Sequence, residues 1–261
     1  MKGQKAMPLE IVTIPCLSDN YAFLAHDAAS GDTALVDAPE AAPILAELDK
    51  RGWTLNHVLL THHHWDHVDG LGAILEKQPA KVIGAAADAH RLPPLDLQVR
   101  EGDSFDIGGE PVQVLDVSGH TDGHIAFYMP NSAVVFTADS LMALGCGRLF
   151  EGTPPQMWAS LSKLAALPDD TLVCSGHEYT QSNAKFALTI DPDNAALRDR
   201  AADIDRARAA GQATVPSSLA LEKATNPFLR AGDPAIQAHL GMENADLAKV
   251  FAEIRARKDR F

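Results

Sequence analysis

Residues 61–67 read Thr-His-His-His-Trp-Asp-His, placing four imidazoles and one carboxylate within six positions directly behind the apolar run His57–Leu60. A solvated His-rich loop is the bland alternative. Ligand-type residues at this density behind a buried strand have no structural use, however, and metal binding is the use that fits them. Imidazole nitrogen and carboxylate oxygen suit zinc, iron and manganese. In an extended turn alternate side chains share a face, so His62 and His64 point one way and His63 another. Asp66 and His67 lie one step further on and can address a second ion nearby.

Three further pieces share that position. Ser118-Gly119-His120-Thr121-Asp122-Gly123-His124 follows the apolar stretch Val112–Val117, and Gly119 lets the backbone turn sharply toward the same edge. His124 is read either as a support for the ligands or as a core histidine. Phe136-Thr137-Ala138-Asp139-Ser140 ends an apolar strand in a carboxylate, and Ser175-Gly176-His177-Glu178-Tyr179 ends another in an imidazole. A strand-terminal Asp is on its own more often a turn former. Four groups of ligand-type residues at four strand ends make a different case, because layered α/β folds gather their sites where strands end and loops converge. Isolated histidines such as His26 and His90 carry no such argument.

The rest of the chain supplies the strands and helices this requires. Short strands are expected at Glu10–Pro15, Tyr21–Ala25, Thr33–Val36, His57–Leu60 and Lys81–Ala85, with helices at Ala41–Arg51, stopped by Gly52, and at Leu71–Lys77. Leu97–Arg100, Pro111–Val117, Ile125–Met129, Ala133–Thr137 and Thr171–Cys174 read as further strands. Met157, Leu161, Leu164 and Leu167 mark a helix between the last two. Beyond His177 the expectation is helices alone, at Tyr179–Leu188, Asn194–Ala210 and Ala245–Lys258. The order implies an α/β domain over 1–177 and a helical domain over 178–261.

Composition excludes some classes. The 261 residues carry a net charge of −13, which disfavours nucleic acid as a partner, although Arg255, Arg257, Lys258 and Arg260 form one local basic cluster. The three cysteines, Cys16, Cys146 and Cys174, are odd in number and widely spaced, so buried thiols in a reducing compartment are expected rather than a disulfide framework. Lys2 and Lys5 are followed by no apolar segment of the secretory kind. No apolar run approaches the ~18 residues a spanning helix needs. The expectation is a cytoplasmic protein with no membrane partner.

The string His-x-His-x-Asp-His, with its later Gly-His, Asp and Gly-His pieces, resembles the metallo-β-lactamase superfamily, and within it the glyoxalase II enzymes, the hydroxyacylglutathione hydrolases. The resemblance runs from Leu17-Ser18-Asp19-Asn20-Tyr21 to Arg255-Ala256-Arg257-Lys258-Asp259-Arg260-Phe261. It implies an αβ/βα four-layer sandwich with a C-terminal helical domain. It also implies two divalent ions, zinc first and iron or manganese otherwise: His62, His64 and His120 at one, Asp66, His67 and His177 at the other, and Asp139 bridging them. In catalysis it implicates Asp66 and Asp139. The substrate positions carried over are Arg148, Phe150 (where some members have Tyr), Tyr179, Arg255 and Lys258. The implied activity is thioester hydrolysis of S-D-lactoylglutathione by a monomer whose partner is a small molecule. The rivals are a mononuclear-iron persulfide dioxygenase, a β-lactamase or a nuclease on the same fold, and a metal- or glutathione-binding protein with an inactive site.

Overall fold

The computed structural model describes residues 8–261, so Lys2 and Lys5 lie outside the described residues. The chain divides into two compact units. One runs to Asp116 and includes Gly123–Phe136; the other comprises Val117–Asp122 and Thr137–Phe261.

The first unit is built on a six-stranded sheet in the order β1 (Glu10–Cys16), β2 (Asn20–His26), β3 (Thr33–Val36), β4 (His57–Leu59), β5 (Lys81–Ala85) and β6 (Leu97–Val99). The first three strands pair antiparallel and the remainder parallel. Parallel neighbours need a crossover, and helices supply it: α1 (Ala41–Arg51) between β3 and β4, then α2 (Trp65–Val68) and α3 (Leu71–Lys77) between β4 and β5. Gly52 ends α1 in the left-handed conformation at φ 67°. Ile44 and Leu48 of α1 are buried with Leu35, Val58 and Val82 of the sheet. Each side chain of that size contributes about 1.5–3 kcal/mol by leaving water. Strands β7 (Ser104–Ile107), β8 (Glu110–Asp116), β9 (Ile125–Met129) and β10 (Val134–Ala138) then pair antiparallel in succession.

Two expectations change here. Trp65–Val68 is a helical turn rather than extended chain, so Asp66 and His67 project from a helix. Four mostly polar residues are too few to show a helical period. Strand β7 was not foreseen, because Ser-Phe-Asp-Ile alternates over only four residues.

The second unit contains β11 (Leu141–Met142), β12 (Gly145–Cys146), α4 (Pro154–Ala165), β13 (Leu172–Ser175), α5 (Thr180–Ile190), α6 (Ala195–Ala209), β14 (Ser217–Ser218), α7 (Leu219–Thr225), α8 (Pro234–Leu240) and α9 (Leu247–Arg260). The expectation of helices alone beyond His177 is corrected by β14, which pairs antiparallel with Leu172 and Val173. Two serines carry no strand signal; the pairing creates the strand. Leu144, Ala184, Ala187, Leu197, Ala201 and Ile204 form a local core.

A buried carboxylate braces the β11–β12 hairpin. Glu222 accepts hydrogen bonds from Leu144 N (2.9 Å), Ser217 Oγ (2.6 Å) and Asn226 Nδ2 (3.1 Å), and pairs with buried Arg200. Asn226 also donates to Met142 O (3.1 Å) and Gly145 O (3.0 Å). Removing one partner from such a cluster leaves a buried charge, typically costing about 3–5 kcal/mol. The hairpin is thereby fixed between Asp139 and Arg148. All three cysteines are buried and free.

Candidate metal centre

In the first unit the donors follow β4. Thr61 leaves the strand with its backbone N–H and hydroxyl both donating to Asp37, at 2.9 Å each. Its hydroxyl proton being committed, Thr61 Oγ1 accepts from His62 Nδ1 at 3.0 Å. His67 Nδ1 donates to Asp37 Oδ2 at 2.8 Å. Asp37 thus fixes the same tautomer on two rings, directly on His67 and through Thr61 on His62, so that Nε2 is the atom each could offer a metal ion. One donor atom from each of Asp37, His62 and His67 falls in a cluster no wider than 4.8 Å.

His64 Nδ1 comes within 3.2 Å of His62 Nε2, as two nitrogens converging on one cation would. Asp66 Oδ2 lies 4.0 Å from His67 Nε2, and Asn20 Nδ2 donates to both the carboxylate and the backbone carbonyl of Asp66 at 3.0 Å. Helix α2 is itself pinned: Ala38 N bonds His67 O (2.8 Å) and Gly70 N bonds Ala38 O (2.9 Å). A Cβ at Gly70 would meet Ala41 N at 2.8 Å, so only glycine permits that approach.

His63 points elsewhere, as its alternation requires, with Nδ1 2.9 Å from buried Asp88. His124 stacks on His62 at 4.5 Å and 12°, with Nδ1 near Ile125 O at 3.2 Å, which is the arrangement of a supporting histidine.

In the second unit three donors gather. Asp139 Oδ2 is 3.5 Å from His120 Nε2 and 3.3 Å from His177 Nε2. His120 Nδ1 donates to Arg148 O at 2.7 Å, which again presents Nε2 for ligation. All three are buried. A carboxylate flanked by two ring nitrogens suits a bridging ligand. The backbone is bent to place them. Ala138 takes a positive φ of 41° just before Asp139, and Gly119 takes 148° just before His120. A Cβ at Gly119 would meet Met157 Cβ at 2.8 Å. The side chains therefore fit the implied group: imidazoles that are buried except for half-buried His64, three of them (His62, His67 and His120) oriented through Nδ1, and an Asp66 carboxylate held by Asn20.

The five positions expected to meet substrate all belong to the second unit. Tyr179 lies flat on the His177 ring at 4.6 Å and 8°. Phe150, 62% exposed, sets its edge against His120 at 5.3 Å. Arg255 is 7% exposed; its guanidinium donates to Cys146 O (3.0 Å) and lies over the Phe228 ring (5.2 Å). Lys258 Nζ sits over the rings of Phe186 (5.2 Å) and Phe261 (5.3 Å). Burial, and then the Arg255 charge, push its pKa down.

Asp37, Asn20 and Asp88 were not singled out from sequence. Asp37 ends the apolar strand Thr33–Val36 as Asp139 ends its own, so the strand-end rule that found one applies to both.

Ligand-type side chains at four strand ends of an α/β scaffold define a metal-dependent enzyme of the metallo-β-lactamase kind. The metallo-beta-lactamase superfamily model matches residues 20–177, and the hydroxyacylglutathione hydrolase C-terminus model matches 178–261. The chain belongs to the hydroxyacylglutathione hydrolase family of that superfamily. It is 77% identical to the hydroxyacylglutathione hydrolase of Ruegeria pomeroyi, over 98% of this chain and 100% of that one. ETHE1 from Myxococcus xanthus shares 30% identity at a TM-score of 0.65, covering 97% of this chain and 98% of that one. A solved structure in a di-iron-bound form shares 27% identity at a TM-score of 0.61, covering 84% and 100%.

Proposed function

We propose that the chain hydrolyses S-D-lactoylglutathione, and 2-hydroxyacylglutathiones generally, to glutathione and the free hydroxy acid. This is the second step of methylglyoxal detoxification, and we assign it to a cytoplasmic monomer. The observation that carries the reading is the full set of family donor positions in one chain, together with the whole-length similarity to hydroxyacylglutathione hydrolases. In this reading His62, His64 and His120 hold one ion, Asp66, His67 and His177 the other, and Asp139 bridges. Residues 1–177 form the catalytic part and 178–261 complete the substrate site.

Two bound divalent ions, zinc first with iron or manganese as alternatives, supply a water that ionises near neutral pH and a Lewis acid for the thioester carbonyl. The protein's own groups do the rest. Asn20 holds the Asp66 carboxylate, which accepts a hydrogen bond from the attacking water and orients it. Asp37 and the Arg148 carbonyl keep the ligand tautomers fixed through turnover. The departing thiolate needs little proton donation, and no general acid is assigned. Tyr179 and Phe150 pack against the acyl-glutathione, while Arg148, Arg255 and Lys258 supply positive charge for its two carboxylates.

The test is loss of the thioester's ultraviolet absorbance with S-D-lactoylglutathione, with metal content measured on the same sample. Turnover with close to two ions per chain is expected. A metal-loaded sample that leaves the thioester intact but consumes oxygen with glutathione persulfide would replace this reading with the dioxygenase.

A further inference from the structure

The cationic substrate positions are not independent of one another. Arg255 Nε and Nη2 both reach Asp259 Oδ1, at 3.0 and 2.8 Å. Arg148 Nε approaches the same oxygen at 3.6 Å. Asp259 is the only charged partner of Arg148 among the described residues. The two arginines otherwise differ sharply. The Arg255 side chain is 8% exposed and clamped by Cys146 O and the Phe228 face, whereas that of Arg148 is 59% exposed.

We propose that Asp259 is a positioning residue for substrate: it transmits the fixed position of Arg255 to the exposed guanidinium of Arg148, holding that group ready for a carboxylate of the glutathione thioester. The inference rests on the function proposed above. Arg255 is the post, Asp259 the link and Arg148 the arm. At 3.6 Å the Asp259–Arg148 contact is an ion pair and not a hydrogen bond, so it restricts the arm without capping it, and the substrate's carboxylate can add to the same guanidinium. The Arg148 backbone carbonyl holds His120, so the residue that gathers substrate charge also supports a proposed ligand; its side chain, not its backbone, is what Asp259 orders.

Leaving a long, rotamer-rich side chain to be ordered by substrate alone weakens binding by roughly two- to tenfold. Asp259→Asn is therefore expected to raise KM for S-D-lactoylglutathione by that factor with kcat nearly unchanged, and Asp259→Glu, still within reach on the helix, to recover most of the loss. In an Arg148→Ala background Asp259→Asn should raise KM no further. The S-D-lactoyl thioester of N-acetylcysteamine, which has no carboxylate, should be hydrolysed equally by wild type and Asp259→Asn. An unchanged or lower KM, a parallel loss on the uncharged thioester, or failure of Asp259→Glu to rescue overturns the inference. Wild-type inactivity on S-D-lactoylglutathione instead overturns the function on which it rests.

Discussion

Asp37 is the residue on which the first unit's donors turn. It fixes His67 directly and His62 through Thr61, and it does so from the left-handed conformation at φ 57°, which costs a non-glycine residue about 1–3 kcal/mol. Such a conformation persists where surrounding bonds over-determine it. Asp37→Ala is expected to lower metal affinity or activity roughly 10–100-fold, the usual effect of losing a carboxylate behind a ligating histidine. Metal content after dialysis and thioester turnover measure it; full retention of both would remove Asp37 from the site. The thiols lie at the opposite extreme. Burial pushes Cys16 up to about 12 and Cys146 up to about 11, the latter despite the Arg255 charge, and burial raises Cys174 as well. Since the thiolate is the nucleophile, the native protein should not react with iodoacetamide at mildly alkaline pH, while all three cysteines should react after unfolding. Rapid native labelling would show a thiol more exposed than this fold allows.

At the scale of elements, each proposed ligand group hangs from a strand end, and the turn after the strand does the aiming. Gly119 is the sharpest case. Its φ of 148° and its closeness to Met157 leave no room for a side chain, so Gly119→Ala must move either α4 or the His120 turn. A loss of about 1–3 kcal/mol is expected, as for other overpacked sites, with a fall in bound metal larger than the stability loss explains. Thermal unfolding and metal analysis on the same variant separate the two effects. This level also shows what could be read beforehand. The apolar runs expected to end at Leu60, Val117, Thr137 and Cys174, each one residue from the strand ends Leu59, Asp116, Ala138 and Ser175, were visible because burial writes hydrophobicity into sequence, and with them the positions of His62, His120, Asp139 and His177. Helix α2 and strand β14 were not, because one is a single turn of site residues and the other two serines made into a strand by their partner. The Asp37–Thr61 link was illegible for a related reason: hydrogen bonds between residues 24 apart leave no periodic trace.

For the whole molecule, metal content and stability should be linked. The proposed donors are imidazoles and carboxylates, buried except for half-buried His64 and Asp66, and an ion that binds the folded chain but not the unfolded one stabilises it by RT ln(1 + [L]/Kd), about 2.7 kcal/mol at a free concentration of 100 Kd. For a chain of 261 residues, 1 kcal/mol moves Tm by about 2–4 °C. Chelation is therefore expected to lower Tm by several degrees while abolishing turnover, and stoichiometric zinc, iron or manganese to restore both. The sign is fixed by linkage and does not depend on which metal is native. A chelated protein with full turnover would show that the reaction needs no ion. A chelated protein that loses turnover at unchanged Tm would show that the unfolded chain binds the ions as tightly as the folded one, and would overturn the linkage. The geometry favours linkage, because Asp139 Oδ2 stands between two ring nitrogens at 3.5 and 3.3 Å. A cation held among those three groups would offset part of the cost of burying them, and that is the stabilisation the chelation experiment reads.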